Sequence, residues 1–175
     1  REHILTALAE AAKRADVILI TGGLGPTKDD ITKKTLAEYF KAGMVENKAA
    51  LENVYNIFAK YNRPMLEVNR LQALVPENCE VILNNNGTAP GMWFNEGGKI
   101  YVSMPGVPHE MMYMMEDSVI PKLKSTLELP FIIHKTILTV GEGESYLAER
   151  IADIEDALPP YIKLAYLPKL GQVRL

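Results

Sequence analysis

Three features of this chain predict an α/β fold: short apolar runs that read as strands, amphipathic helical stretches between them, and glycine–proline loops where strand passes into helix. Val17-Ile18-Leu19-Ile20 ends in Thr21-Gly22-Gly23 ahead of one helix. Ile100-Tyr101-Val102 runs into Met104-Pro105-Gly106-Val107-Pro108 ahead of another. Strands that hand over to helices in this way build a sheet with helices packed on its faces. The expected architecture is an α/β layer domain over residues 1–129 with its first strand missing, then part of a small α+β domain over 130–175.

The elements follow in order. Ile4, Leu5, Leu8 and Ala11 recur at helical spacing, which predicts a helix over 2–15. Val17–Ile20 is wholly apolar, as expected of a strand buried on both faces. After the Gly22–Pro26 loop, Ile31, Thr35, Leu36 and Phe40 mark one face of a helix over about 30–40. Leu51, Val54, Tyr55 and Phe58 mark a second over 46–61, which Pro64 ends, and 67–74 reads as a short helix. Val81-Ile82-Leu83 is strand-like, and Asn84-Asn85-Asn86-Gly87 is a strong turn signal. Met92-Trp93-Phe94, Glu96-Gly97-Gly98 and Ile100-Tyr101-Val102 together predict a β-hairpin. The helix after Pro108 should bury Met112, Met115, Val119 and Leu123, with a kink at Pro121. Beyond Glu128-Leu129-Pro130 the pattern restarts. Ile132–Val140 reads as a strand, Leu147, Ile151, Ile154 and Leu158 as a helix stripe, and 162–167 and 173–175 as strands. The chain opens without methionine, in a helix that no strand precedes, and stops inside a strand-like run. A piece of a longer protein is therefore expected.

Composition narrows the function. The net charge of −3, with acids and bases interspersed, argues against a dedicated nucleic-acid binder, which carries a strong basic patch. Cys79 is the sole cysteine, so an intrachain disulfide is impossible and no zinc-ligand cluster exists. No apolar run approaches the roughly 20 residues of a membrane helix. A cytoplasmic protein without membrane association is expected.

The loop Gly22-Gly23-Leu24-Gly25-Pro26-Thr27-Lys28-Asp29-Asp30 carries the strongest chemical signal. Gly22, Gly23 and Gly25 allow a tight turn and close approach of a ligand. The helix behind them offers unpaired N–H groups and the positive end of its dipole, an anion site to which Thr27 and Lys28 add donors. The loop matches neither the P-loop nor the dinucleotide fingerprint. Asp29 and Asp30 admit two readings. They hold a divalent metal that removes their conflict with a phosphate, or Asp30 is an N-cap and Asp29 a solvated neighbour. Pro105-Gly106-Val107-Pro108-His109-Glu110 is a second strand–helix loop. In doubly wound sheets such loops face one cleft at the carboxyl ends of the strands. His109 reads as exposed and Glu110 as a first-turn acid that favours the helix dipole. Asn69-Arg70 is either a phosphate clamp or a surface ion pair, and Gly87-Thr88-Ala89-Pro90-Gly91 is a turn small enough to approach a ligand.

Thr21–Asp30, Asn69-Arg70 with Gln72–Pro76, Gly87–Gly91 and Pro105–Met111, in this order, resemble the N-terminal part of the CinA (competence/damage-inducible protein) family. That region is similar to the molybdopterin-binding domain of the MoaB and MoeA type, which implies a three-layer α/β/α fold. Gly141–Ser145 and Leu164–Leu175 resemble the start of the family's KH-like middle domain. The resemblance implies a divalent-metal-dependent ADP-ribose pyrophosphatase, a hydrolase giving AMP and ribose 5-phosphate. Gly22, Gly23, Gly25, Thr27, Asn69, Arg70, Thr88, Pro105 and Gly106 would bind the ligand, Asp29 and Asp30 the metal, and Asp29, Asp30 and Lys28 would act in catalysis. The alternatives are pterin-phosphate binding, as in molybdenum cofactor synthesis, and a non-catalytic nucleotide-binding module of a nicotinamide mononucleotide deamidase. The expected partners are a small phosphorylated ligand, ADP-ribose or a related nucleotide, and a second copy of the chain. The family's opening Gly-Asp-Glu strand has no counterpart in this sequence.

Overall fold

In the computed structural model, which describes residues 1–175, the central sheet is organised by the hairpin that the Glu96–Lys99 turn closes. Strand β5 (Gly91–Glu96) returns as β6 (Lys99–Met104), with Trp93 opposite Val102 and Phe94 opposite Tyr101. Strand β4 (Glu80–Ile82) joins the far side of β5, and β1 (Val17–Thr21) pairs in parallel with β6. The four-stranded order is β1-β6-β5-β4.

Alternation along β5 and β6 builds two cores. Met92, Phe94 and Tyr101 face one side with Ile18, and there they meet Leu8 of α1 (Glu2–Arg14) and Leu36 of α2 (Thr32–Tyr39). Phe40 stacks on Phe94 at 4.2 Å between centroids. Trp93, Ile100, Val102 and Met104 face the other side, against Met114 and Val119. Met114 ends α5 (Pro108–Met114), and a wider π-helical turn, Met115–Val119, connects it to α6 (Ile120–Thr126). Helices on both faces of the sheet make the three-layer α/β domain that the sequence predicts. The π turn lies immediately before Pro121, which has no N–H to give, so the ladder adjusts there.

Several local expectations fail, each for a tertiary reason. β1 is an edge strand, so Leu19 is exposed and the run is not buried on both faces. The long helix after Pro108 buries Met114 rather than Met112, which is more than half exposed. Ile31 and Tyr55 are also exposed, while Thr32, Lys33 and Ala37 are buried. Residues 46–61 form α3 (Lys48–Lys60), capped by Asn47, whose side chain accepts from the Ala50 N–H at 3.0 Å. The 67–74 stretch splits into α4 (Glu67–Arg70), a 3₁₀ turn (Leu71–Ala73) and a strand, β3 (Leu74–Pro76). β3 pairs antiparallel with β2 (Met44–Glu46), a ribbon without local signal because the partners lie on either side of α3.

The chain divides into two units, Arg1–Glu128 and Leu129–Leu175. The second is a three-stranded antiparallel sheet, order β7-β9-β8, of Leu138–Val140, Gln172–Arg174 and Leu167–Lys169. Two short helices, α7 (Glu144–Arg150) and α8 (Ala152–Asp156), lie between β7 and β8. The strand expected over Ile132–Val140 forms only at Leu138–Val140, because β9 offers a ladder just three residues long. No helix is long and apolar enough to cross a membrane.

Candidate functional site

Parallel register puts two loops at one edge of the first unit. Thr21 stands opposite Met104, so β1 and β6 end at the same level and their loops begin side by side. The Gly22 N–H donates to the Met104 carbonyl at 2.9 Å, and the Thr21 hydroxyl donates to the Pro105 carbonyl at 3.3 Å. Gly22 has φ +92°, and a Cβ at Gly106 would lie 3.1 Å from the Gly22 Cα. The close approach depends on the missing side chain of Gly106, while the positive φ is what favours glycine at Gly22. Beside this contact lies a cleft of about 320 Å³, within the range of small-molecule sites. Gly23, Leu24, Gly25 and Pro26 form one wall, and Pro105, Gly106 and Val107 the opposite one. Asp30, Gln72, Thr88, Ala89 and Glu110 complete it.

The loop is tied to itself through Asp30. The Thr27 N–H and hydroxyl both donate to Asp30 Oδ2, at 3.0 and 2.6 Å. These bonds hold the Asp30 carboxyl below its ordinary range, led by the hydroxyl and opposed by partial burial. Asp30 is not an N-cap. Helix α2 starts at Thr32, its cap is Ile31, and no side chain caps it. The carboxylate instead points back across the loop, and a Cβ at Gly25 would fall 2.6 Å from Oδ2.

The opposite carboxylate is Glu110. Asn84, only 2% exposed, donates from Nδ2 to Glu110 Oε2 at 2.7 Å and to the Ala89 carbonyl at 3.0 Å. Its own carbonyl accepts from Asn53 Nδ2, which also donates to the Gly87 carbonyl. A Cβ at Gly87 would overlap the Glu110 carboxylate, so glycine is what lets the acid lie over this loop. Thr88 donates to Gln72 Oε1 at 2.7 Å, and the Gln72 carbonyl accepts from the buried Lys33 Nζ at 2.8 Å. Burial pushes the Lys33 ammonium down to about 8, with Cys79 and Asp30 acting in the other direction.

The cleft thus gathers Gly23, Gly25, Asp30, Thr88, Pro105 and Gly106 from the expected set, with Gly22 at its floor contact and Thr27 one hydrogen bond away. It does not gather the rest. Lys28 and Asp29 lie on the exposed part of the loop, outside the lining. Arg70 is ion-paired with Glu46 at 2.8 Å on the exposed side of α4, and Asn69 is likewise absent from the cleft. A second hollow, of about 530 Å³, lies beside Gly141–Gly143 in the other unit. It has none of these opposed strand-end loops.

Residues 1–125 match a family described as a probable molybdopterin binding domain. The whole chain is 56% identical to a CinA-like protein of Flavobacterium psychrophilum, of which it covers 42%. It is 53% identical, over 99% of its length, to a CinA-like protein of Cytophaga hutchinsonii, again covering 42% of that relative. A crystal structure described as the protein CinA with unknown function, from Thermoplasma acidophilum, superposes with a TM-score of 0.59. The two are 32% identical, and the match covers 67% of this chain and 69% of that one. This chain belongs to the CinA family.

A CinA chain of this length spans about two-fifths of the relatives it matches, and the cleft lies wholly in the part that carries the molybdopterin-binding-type domain. Sequence reasoning passed over Gln72, Asn84, Lys33 and the role of Glu110. Gln72 and Glu110 stand inside the motifs that carry the CinA resemblance, which was the available signal. Lys33 and Asn84 looked like ordinary polar residues of a helix and a turn, and only burial distinguishes them.

Proposed function

We propose that the cleft binds the diphosphate of ADP-ribose or a related nucleotide and, with a divalent cation, hydrolyses it to AMP and ribose 5-phosphate. One observation carries this reading: two carboxylates, Asp30 and Glu110, share a cleft with two glycine loops that admit an anion close to the backbone. Acids in a phosphate site repel the ligand unless a cation stands between them. The donor set suits a small hard cation. No three His, Cys, Asp or Glu side chains gather anywhere in the chain, and magnesium is commonly held by one or two carboxylates, with waters and substrate phosphates filling the remaining positions. Asp30, kept ionised by Thr27, would hold it. When bound, the ion supplies Lewis acidity at a phosphoryl oxygen.

The protein groups divide the remaining work. The Gly23–Gly25 backbone faces the ligand phosphates, and Thr88 and Gln72 supply polar contacts that fix its orientation. Asn84 engages one oxygen of Glu110, leaving Oε1 to accept the proton of the attacking water. Water adds across the P–O–P bridge: its oxygen joins one phosphorus, and the bridging oxygen leaves with the other. The test is incubation with ADP-ribose and magnesium or manganese, with and without chelator. Equal, cation-dependent release of AMP and ribose 5-phosphate is expected. Tight binding without turnover would replace catalysis with a nucleotide-binding role.

A second reading, pterin-phosphate binding, is favoured by the match of residues 1–125 to a molybdopterin-binding domain. Pterin fluorescence that copurifies with the protein and is displaced by pterin phosphate, but not by ADP-ribose, would select it.

A further inference from the structure

We infer that Lys33 is a buried positive charge set behind the cleft wall that adds attraction for the ligand's phosphate. The inference rests on the anion-binding reading of the cleft and extends it to a residue outside the lining. Lys33 is only 8% exposed, whereas lysines are almost never buried unless paired. It takes part in none of the chain's ion pairs. Its Nζ donates to a neutral acceptor, the Gln72 carbonyl, at 2.8 Å. A buried ammonium held by a carbonyl is left electrostatically undercompensated.

The surroundings supply only part of the compensating charge. Two titratable groups act on Lys33, Cys79 and Asp30. Burial pushes the Cys79 thiol up to about 11, so it is neutral at physiological pH. Asp30 is ionised and attracts the ammonium, but burial outweighs that attraction. Gln72 links the charge to the site, because its backbone carbonyl holds Lys33 while its side chain accepts from Thr88 within the cleft. A cation under a low-dielectric wall attracts an anion across that wall more strongly than an exposed one would. An entering phosphate therefore both senses the charge and meets the groups it positions.

A merely structural lysine, tying α2 to the 3₁₀ turn, makes a different forecast, and two variants separate the cases. Lys33→Met keeps the aliphatic stem and removes both charge and donor. Lys33→Gln removes the charge and keeps a donor. Binding of ADP-ribose and, separately, of inorganic pyrophosphate is measured by calorimetry between pH 7 and 9, beside thermal melts without ligand. The expected result is that both variants melt at or above the wild-type temperature and bind about tenfold more weakly at pH 7, the scale of one partly screened charge interaction. Wild-type affinity for ADP-ribose, whose diphosphate keeps a constant charge over this range, should fall as pH rises through the buried ammonium's titration, and the variants should be flat. Variants that bind like the wild type, or retain its pH dependence, overturn the inference. If Lys33→Met fails to fold, Lys33→Gln decides alone. Lys33-dependent binding of pyrophosphate without binding of ADP-ribose supports the buried charge and overturns the nucleotide reading. A wild-type protein that binds neither probe overturns both.

Discussion

Replacing Asp30 by asparagine tests whether this acid closes the loop or caps the helix. Both Thr27 donors converge on Oδ2, at 2.6 and 3.0 Å. Hydrogen bonds to a charged group contribute roughly 1.5–3 kcal/mol, against about 1 for a neutral pair. Asparagine keeps an acceptor oxygen, so what disappears is the charge assistance. Thr27 is exposed and Asp30 half-buried, so solvent screens that difference. A net cost of about 1 kcal/mol is expected at pH 7, a fall of about 3–5 °C in Tm for a unit of this size. The sign of the pH dependence follows from Thr27 holding the Asp30 carboxyl below its ordinary 3.8. A depressed acid stabilises the fold fully above its unfolded value, and loses that contribution as pH falls through the folded one. Wild-type and Asp30→Asn melting temperatures should therefore differ at pH 7 and converge toward pH 3. Melts followed by circular dichroism across this range are the assay. Equal Tm values at pH 7, or a gap that persists unchanged at pH 3, would refute the loop-closing role. An N-cap role forecasts no gap at neutral pH, because asparagine caps about as well as aspartate.

The remaining expectations probe the cleft and the sheet. Gly106→Ala brings a Cβ to 3.1 Å from the Gly22 Cα, so one loop must move. A cost of about 1–3 kcal/mol in urea melts, with weakened nucleotide binding, is expected, and unchanged affinity would separate this contact from the site. Asn84→Ala removes the donor that holds Glu110 and Ala89. It should cost about 2–3 kcal/mol and lower turnover more than ligand affinity, as kinetics on the folded variant will show. Ser103 has a buried hydroxyl with no hydrogen-bond partner. Ser103→Ala should be neutral or stabilising by about 1 kcal/mol, and a lower urea midpoint would contradict that.

Local pattern was a good guide wherever neighbours in sequence are also neighbours in space. The hairpin turn at Gly97-Gly98, the helix over 2–14 and both strand–helix loops fall where periodicity and glycine placement put them. The failures share one cause. Leu19 is as apolar as Ile18, yet β1 stands at the edge of the sheet with a partner strand on one side only, and there Leu19 is left exposed. Met112 and Met114 are chemically identical, and the packing of α5 against Trp93 and Met104 decides which is buried. Ile132–Val140 alternates well but pairs only as far as β9 extends.

The site divides along the same line. That Gly22–Asp30 and Pro105–Val107 lead from strand to helix was legible in the residues, because glycine frees and proline restricts backbone geometry locally. Their meeting was decided by the parallel register of β1 and β6, which sets Thr21 beside Met104 across more than eighty residues. Tertiary structure alone chose Glu110 over Asp29 as the second carboxylate of the cleft, sent Arg70 to Glu46, and buried Lys33 behind Gln72. The role of a charged side chain depends on the solvent and partners left to it, and those are supplied by residues distant along the chain.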